Sequence, residues 1–198
     1  MMLTRRTFVI SGGMFALTAC ADTQAPPPRI DIPRITFAHR PAITFDAARV
    51  DIQQPFVPSG RAPNVEHQIP NPPARVAERW ASDRLRAGGS AGFVRFTILD
   101  ASIVEVPLKI DRSLAGAFKT QNDTRYDGRY QVRIDVQNPS GTGFAEAIVT
   151  RSQSAREDLT LNERDDLMVQ FVEEMGRDLD RRLEAEINAN LSGFLVRA

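Results

Sequence analysis

The sequence predicts an α+β fold: an antiparallel sheet of about four strands packed against two helices as a two-layer sandwich, behind a proline-rich N-terminal tether. Three observations carry this expectation. Tyr126 to Val136 alternates strictly between apolar and polar side chains and runs through a turn into a second strand-like stretch. The chain from Thr160 onward keeps one apolar stripe at helical spacing. A shorter amphipathic stretch, Pro72 to Ala87, stands between strand-like segments. At 198 residues with 42% hydrophobic and 25% charged side chains, the chain has the size and composition of one globular domain.

Eleven of the thirteen prolines lie between Pro26 and Pro73, so the first third differs in kind from the rest. Residues 20–42, with Pro26-Pro27-Pro28, read as a semi-rigid tether extending about 3 Å per residue. The domain is expected over 43–198. Ile43 to Ile52 alternates at Ile43, Phe45 and Ala47 and then shifts phase to Val50 and Ile52, the pattern of a strand with a bulge. Residues 53–71 form a proline-broken loop, long for a compact domain. Its Phe56, Val57, Val65 and Ile69 are the candidate partner contacts, or else a lid over the domain's own core.

Asn71 offers an N-cap ahead of Pro72 and Pro73, and Val76, Ala77, Trp80, Ala81 and Leu85 share a face of a helix expected to end at Gly88-Gly89. Gly92 to Ile110 reads as one bent strand or two, apolar at Val94, Phe96 and Ile98, broken near Asp100, and resuming at Val104, Val106 and Leu108. In the clearest strand Tyr130, Val132, Ile134 and Val136 share one face and Arg129, Gln131, Arg133 and Asp135 the other. Asn138-Pro139-Ser140-Gly141 supplies a turn into Gly143 to Arg151. Thr160-Leu161-Asn162-Glu163 has the form of a capping box. It opens a helix whose stripe is Met168, Phe171, Val172, Met175, Leu179, Leu183, Ile187 and Leu191. Glu173 with Arg177 and Asp178 with Arg182 stand four apart on its wet side.

The N-terminus carries an address. Arg5 and Arg6 precede Phe8 to Ala19, an apolar stretch of about twelve residues without charge. A bilayer needs about 20 helical residues, so this length fits the apolar region of a signal peptide, residues 1–19. The stretch ends in Leu17-Thr18-Ala19-Cys20, which resembles the lipobox of bacterial exported lipoproteins, in which the cysteine is acylated and becomes the first residue of the mature chain. Thr4-Arg5-Arg6-Thr7-Phe8 also resembles a twin-arginine export signal, with the general secretory route as the alternative. The resemblance covers residues 1–22 and implies a lipid anchor, including palmitate-type acylation, on Cys20. With more than one acyl chain such an anchor is stable. Ala21 is not the aspartate typical of inner-membrane retention in that family, which favours the periplasmic face of the outer membrane.

Cys20 is the single cysteine, so no internal disulfide exists. Removing residues 1–19 leaves 23 basic against 25 acidic side chains, a net charge of −2 with no basic cluster, which argues against nucleic acid as a partner. Gly88-Gly89-Ser90-Ala91-Gly92 matches the G-x-S-x-G nucleophile elbow in letters, but a helix precedes it and a strand follows, the reverse of what the elbow requires. His39 and His67 lie 28 residues apart and converge with no further metal ligands. Asp100, Glu105, Asp111 and the pair Asp165-Asp166 read as strand-end and helix-start acids rather than an acid/base dyad. No phosphate-binding glycine fingerprint occurs. The expectation is thus no enzyme, no metal and no cofactor. It is instead a membrane-anchored periplasmic lipoprotein that acts as a non-catalytic adaptor in an envelope transport or outer-membrane assembly system. Its element order resembles that of small α+β lipoproteins of transporter-auxiliary and lipopolysaccharide-assembly type, a likeness of fold without a shared motif. The alternative is a lipid or small-ligand binder with its pocket between sheet and long helix, lined by Phe171, Met175 and the tyrosine strand.

Overall fold

The computed structural model describes residues 34–109 and 121–196. The chain divides into Met1–Asp31 and a compact unit, Ile32–Ala198, to which all the described residues belong. Its elements in order are β1 (Ile43–Phe45), β2 (Val50–Gln53), α1 (Pro73–Arg84), β3 (Leu85–Ala87), β4 (Phe93–Pro107), β5 (Asn122–Asn138), β6 (Gly141–Arg156) and α2 (Leu161–Asn190). The fold is α+β, a four-stranded sheet in the order β2-β4-β5-β6 with a small β1-β3 sheet beside it.

The strictly alternating run behaves as its pattern demands. Tyr126, Tyr130, Val132, Ile134 and Val136 point into the core from β5, and Asn138 pairs with Gly141 across a two-residue turn into β6. The helices cover this face, α1 over β4 and α2 over β6. Trp80 stacks on Phe96 with ring centroids 5.6 Å apart. The stripe of α2 from Met168 to Leu191 is buried throughout. Its capping box forms as the residues require: Glu163 N–H donates to the Thr160 hydroxyl at 3.3 Å and Thr160 N–H donates to the Glu163 carboxylate at 2.9 Å.

Several local expectations need correction. The sheet is mixed, because β2 runs parallel to β4. Ile43 to Ile52 is two strands in two sheets rather than one bulged strand, since the chain turns at Asp46–Arg49 to leave β3 and join β4. Helix α1 ends at Arg84, not at the glycines, and Leu85–Ala87 becomes a strand beside β1. Pro72, not Asn71, occupies the N-cap, and Pro73 takes the first turn, where an absent N–H costs nothing. β4 is continuous, and a bulge at Leu99 resets its phase so that Ala101 and Ile103 are buried in place of Val104 and Val106. Asp178 pairs with Arg151 and Arg181, and Arg182 with Glu186. The folded unit also begins before residue 43. Phe37 is buried, and both its N–H and the Thr36 hydroxyl donate to Asp83, at 2.7 and 2.8 Å.

Candidate functional site

The strap of chain before β1 crosses α1 and α2 over a buried ionic cluster. Trp80, Ala81 and Arg84 face inward from α1, and Asp180 and Glu184 come from α2. The Trp80 indole N–H donates to Asp180 at 2.7 Å. Arg84, only 1% exposed, lies 3.2 Å from the same carboxylate, donates to Glu184 at 3.0 Å and also to the carbonyl of Pro41. Arg40 closes the cluster from above, 3.2 Å from Asp180 and 2.7 Å from Glu184. The Glu184 hydrogen bond, with the charges of Asp180 and Glu184, holds the Arg40 guanidinium above its ordinary value. Two carboxylates and two guanidiniums balance in charge, so the buried Arg84 and Asp180 face opposite charge, although Arg84 Nε itself makes no hydrogen bond. A helix-period reading names neither partner, yet both leave a trace: Arg84 interrupts the apolar face of α1 and Asp180 the stripe of α2.

Beside this cluster a groove of about 620 Å³ runs between the strap and the outer side of α2. Ile35, Phe37 and Val169 give it an apolar floor, and Arg177 and Arg181 stand at its rim. Those two cations are already paired, with Glu173 at 2.8 Å and with Asp178 respectively. Phe171, Met175 and Tyr130, expected to line a pocket between sheet and long helix, are buried as core, and the cleft that does lie between them opens nearer the start of α2, at Tyr126 and Met168. At Gly128 an added Cβ would come within 2.3 Å of Met175 Sδ, so β5 carries a notch that the helix side chain occupies. Burial pushes the Tyr130 phenol far above its ordinary value, and its hydroxyl is spent on the Pro73 carbonyl at 3.0 Å.

The four residues expected to meet a partner divide. Ile69 is buried, Phe56 and Val65 pack against the core, and Val57 is 79% exposed. Their loop covers the free edge of β4, with Phe56 N–H donating to Ile98 O at 3.3 Å and Val65 N–H to Ile103 O at 2.9 Å. The Glu66 carboxylate accepts from Ile103 N–H at 3.3 Å, so the long loop takes the place of an edge strand.

The G-x-S-x-G letters are explained by close approach of backbones. A Cβ on Gly89 would fall 2.7 Å from the nitrogen of Ala47, and one on Gly92, at φ +83°, 2.0 Å from the carbonyl oxygen of Gln137. Asp100 pairs with Arg129 at 3.2 Å and accepts from Ser102 N–H, a strand-stabilising role. Glu105 and Asp165 border a cleft of about 240 Å³ at Tyr126. His39 borders the strap groove and His67 contacts Gln68. Among the described residues no group of His, Cys, Asp and Glu is placed to hold a metal ion, and no helix is long and apolar enough to cross a membrane. Arg5, Arg6, Leu17, Ala19, Cys20 and Asp111 lie outside the described residues.

The class these elements define is an α+β protein with both helices on one face of a mixed sheet. No family model and no curated protein sequence matches the chain. Among solved structures it is similar to rare lipoprotein B from Shewanella oneidensis, with a TM-score of 0.38 and 14% identity over 71% of this chain and 95% of that one. It is also similar to a minor lipoprotein from Acinetobacter baumannii, with a TM-score of 0.37 and 13% identity over 76% of this chain and 97% of that one.

Proposed function

We propose that this chain is an envelope lipoprotein, exported, acylated on Cys20 and facing the periplasm from the outer membrane, where its folded unit serves as a non-catalytic adaptor for an envelope protein partner. The observation that carries the reading is Leu17-Thr18-Ala19-Cys20 at the end of a charge-free apolar stretch that follows Arg5-Arg6. Acylation at that cysteine attaches hydrocarbon at about 0.8 kcal/mol per buried methylene, enough for permanent residence at a membrane. The domain needs no further thiol, since Cys20 is the single cysteine. Membrane fractionation of Cys20→Ala is the test. The variant is expected to lose acylation and to leave the outer-membrane fraction with its fold intact, because among the described residues the core is built from Ile35 and Phe37 onward. Retention in that fraction at the wild-type level contradicts the reading.

A ligand-binding role has one observation in its favour, the strap groove with its apolar floor and charged rim. An amphiphile seated there would raise the melting temperature of the wild type and not that of Val169→Asp. Equal shifts in both would place the ligand elsewhere.

A further inference from the structure

The two edges of the main sheet are finished differently. On β4 outward backbone groups are met at several points along the strand: Val94 N–H donates to Arg49 O at 2.9 Å, and Glu105 N–H donates to Pro63 O at 2.8 Å, with the Phe56, Val65 and Glu66 contacts between them. On β6 the ladder with β5 joins Gly143 to Val136, Ala145 to Ile134 and Ala147 to Val132. Since Val94 turns its N–H toward β2, the odd residues of β5 bond β4 and the even residues bond β6. The N–H and C=O groups of Thr142, Phe144, Glu146, Ile148 and Thr150 therefore point away from the sheet. Among the described residues no backbone hydrogen bond reaches them. Edges of this length are ordinarily blunted by Pro, Lys, a bulge or a covering segment. From Gly141 to Ser154, β6 has no Pro, no Lys and no register shift. Phe144 and Ile148 stand 54% and 47% exposed along it.

We propose that β6 is an assembly edge for a second copy of this chain, β6 against β6 in antiparallel register about a two-fold axis at Ile148, making one continuous eight-stranded sheet. The occupant must be a strand with an apolar residue opposite Ile148 and no acid opposite Glu146. β6 reversed on itself supplies this, setting Ile148 against Ile148, Glu146 against Thr150 and Phe144 against Ser152. An axis at Glu146 would place two carboxylates face to face, one at Ala147 would set Glu146 against Ile148, and one at Val149 would set Ile148 against Thr150, so apolar matching and charge together favour the axis at Ile148. Such a contact is isologous and closed, ending growth at two copies.

The test uses the full chain in mild detergent with Cys20→Ala as background, so that an introduced cysteine is the only thiol. Ile148→Cys brings two thiols to a directly opposed pair, about 5.5 Å between Cα atoms. A short bis-maleimide is expected to convert most of it to covalent dimer. Phe144→Cys, whose two copies would lie about 26 Å apart at roughly 3.3 Å per residue, is expected to give none. Ile148→Lys, which puts two cations on the axis, is expected to sediment as monomer with an unchanged circular dichroism spectrum. A background protein that sediments as monomer at about 100 µM, equal cross-linking at 144 and 148, or an Ile148→Lys dimer would each overturn the proposal. None of these results bears on the Cys20 anchor.

Discussion

Asp180→Ala removes the acceptor of the Trp80 indole and the counter-charge of Arg84 and Arg40. Asp180 is 6% exposed, so water does not replace it without reorganisation. Breaking a buried ion pair by deleting one partner costs about 3–5 kcal/mol, and an orphaned buried N–H about 1–3. Arg84 retains Glu184 and the Pro41 carbonyl, which brings the sum to the lower part of that range. A loss of about 3–4 kcal/mol is expected, which for a domain of this size lowers the melting temperature by about 10 °C. Asp180→Asn keeps an acceptor for the indole and should lose roughly half as much. Glu173→Ala breaks the exposed pair with Arg177 and should cost no more than about 0.5 kcal/mol. Urea melts of the three variants decide the matter. If Asp180→Ala loses under about 1 kcal/mol, the cluster is not what joins α1 to α2.

Gly92→Ala should cost about 3 kcal/mol or more, since the residue sits at φ +83° and its Cβ would meet backbone that cannot swing aside; thermal denaturation reads this directly. Ile69→Ser should lose about 2–4 kcal/mol by the same measurement, and the exposed Val57→Ser within about 0.5, because the loop's buried side chains belong to the core. The backbone and side-chain hydrogen bonds from Thr160 hold the Glu163 carboxyl below its ordinary 4.5. A depressed carboxyl stabilises the fold above its unfolded value and loses that contribution as pH falls through the folded one. The stability gap between wild type and Glu163→Gln should thus be full above about pH 5 and close in more acidic buffer; a gap independent of pH would rule out the ionised cap as its source.

What the sequence discloses is what local periodicity encodes. The alternation in β5, the two-residue turn at Pro139-Ser140, the capping box and the α2 stripe each repeat within a few residues, and each forms as read. Features set by distant chain were not legible. Nothing near Val50 says that β2 will lie parallel to Val94, or that the prolines of 53–71 keep that loop irregular while its remaining N–H groups close the β4 edge. The phase of β4 after Ile98 depends on one extruded residue, Leu99, which local hydrophobicity does not mark. The ionic cluster lay half in view, as Arg84 and Asp180 each break an apolar face. That the two breaks meet is tertiary information, as is the burial of Phe37, which lies within the segment that composition assigns to a tether.

The lipid on Cys20 is central to the proposed role, and the mass of the N-terminal tryptic peptide of the membrane-extracted protein tests it most directly. The expected peptide begins at Cys20, ends at Arg29 and carries the mass of a thioether-linked diacylglycerol with or without a further acyl chain. A peptide that runs through Ala19 into Cys20 with an unmodified thiol would contradict it.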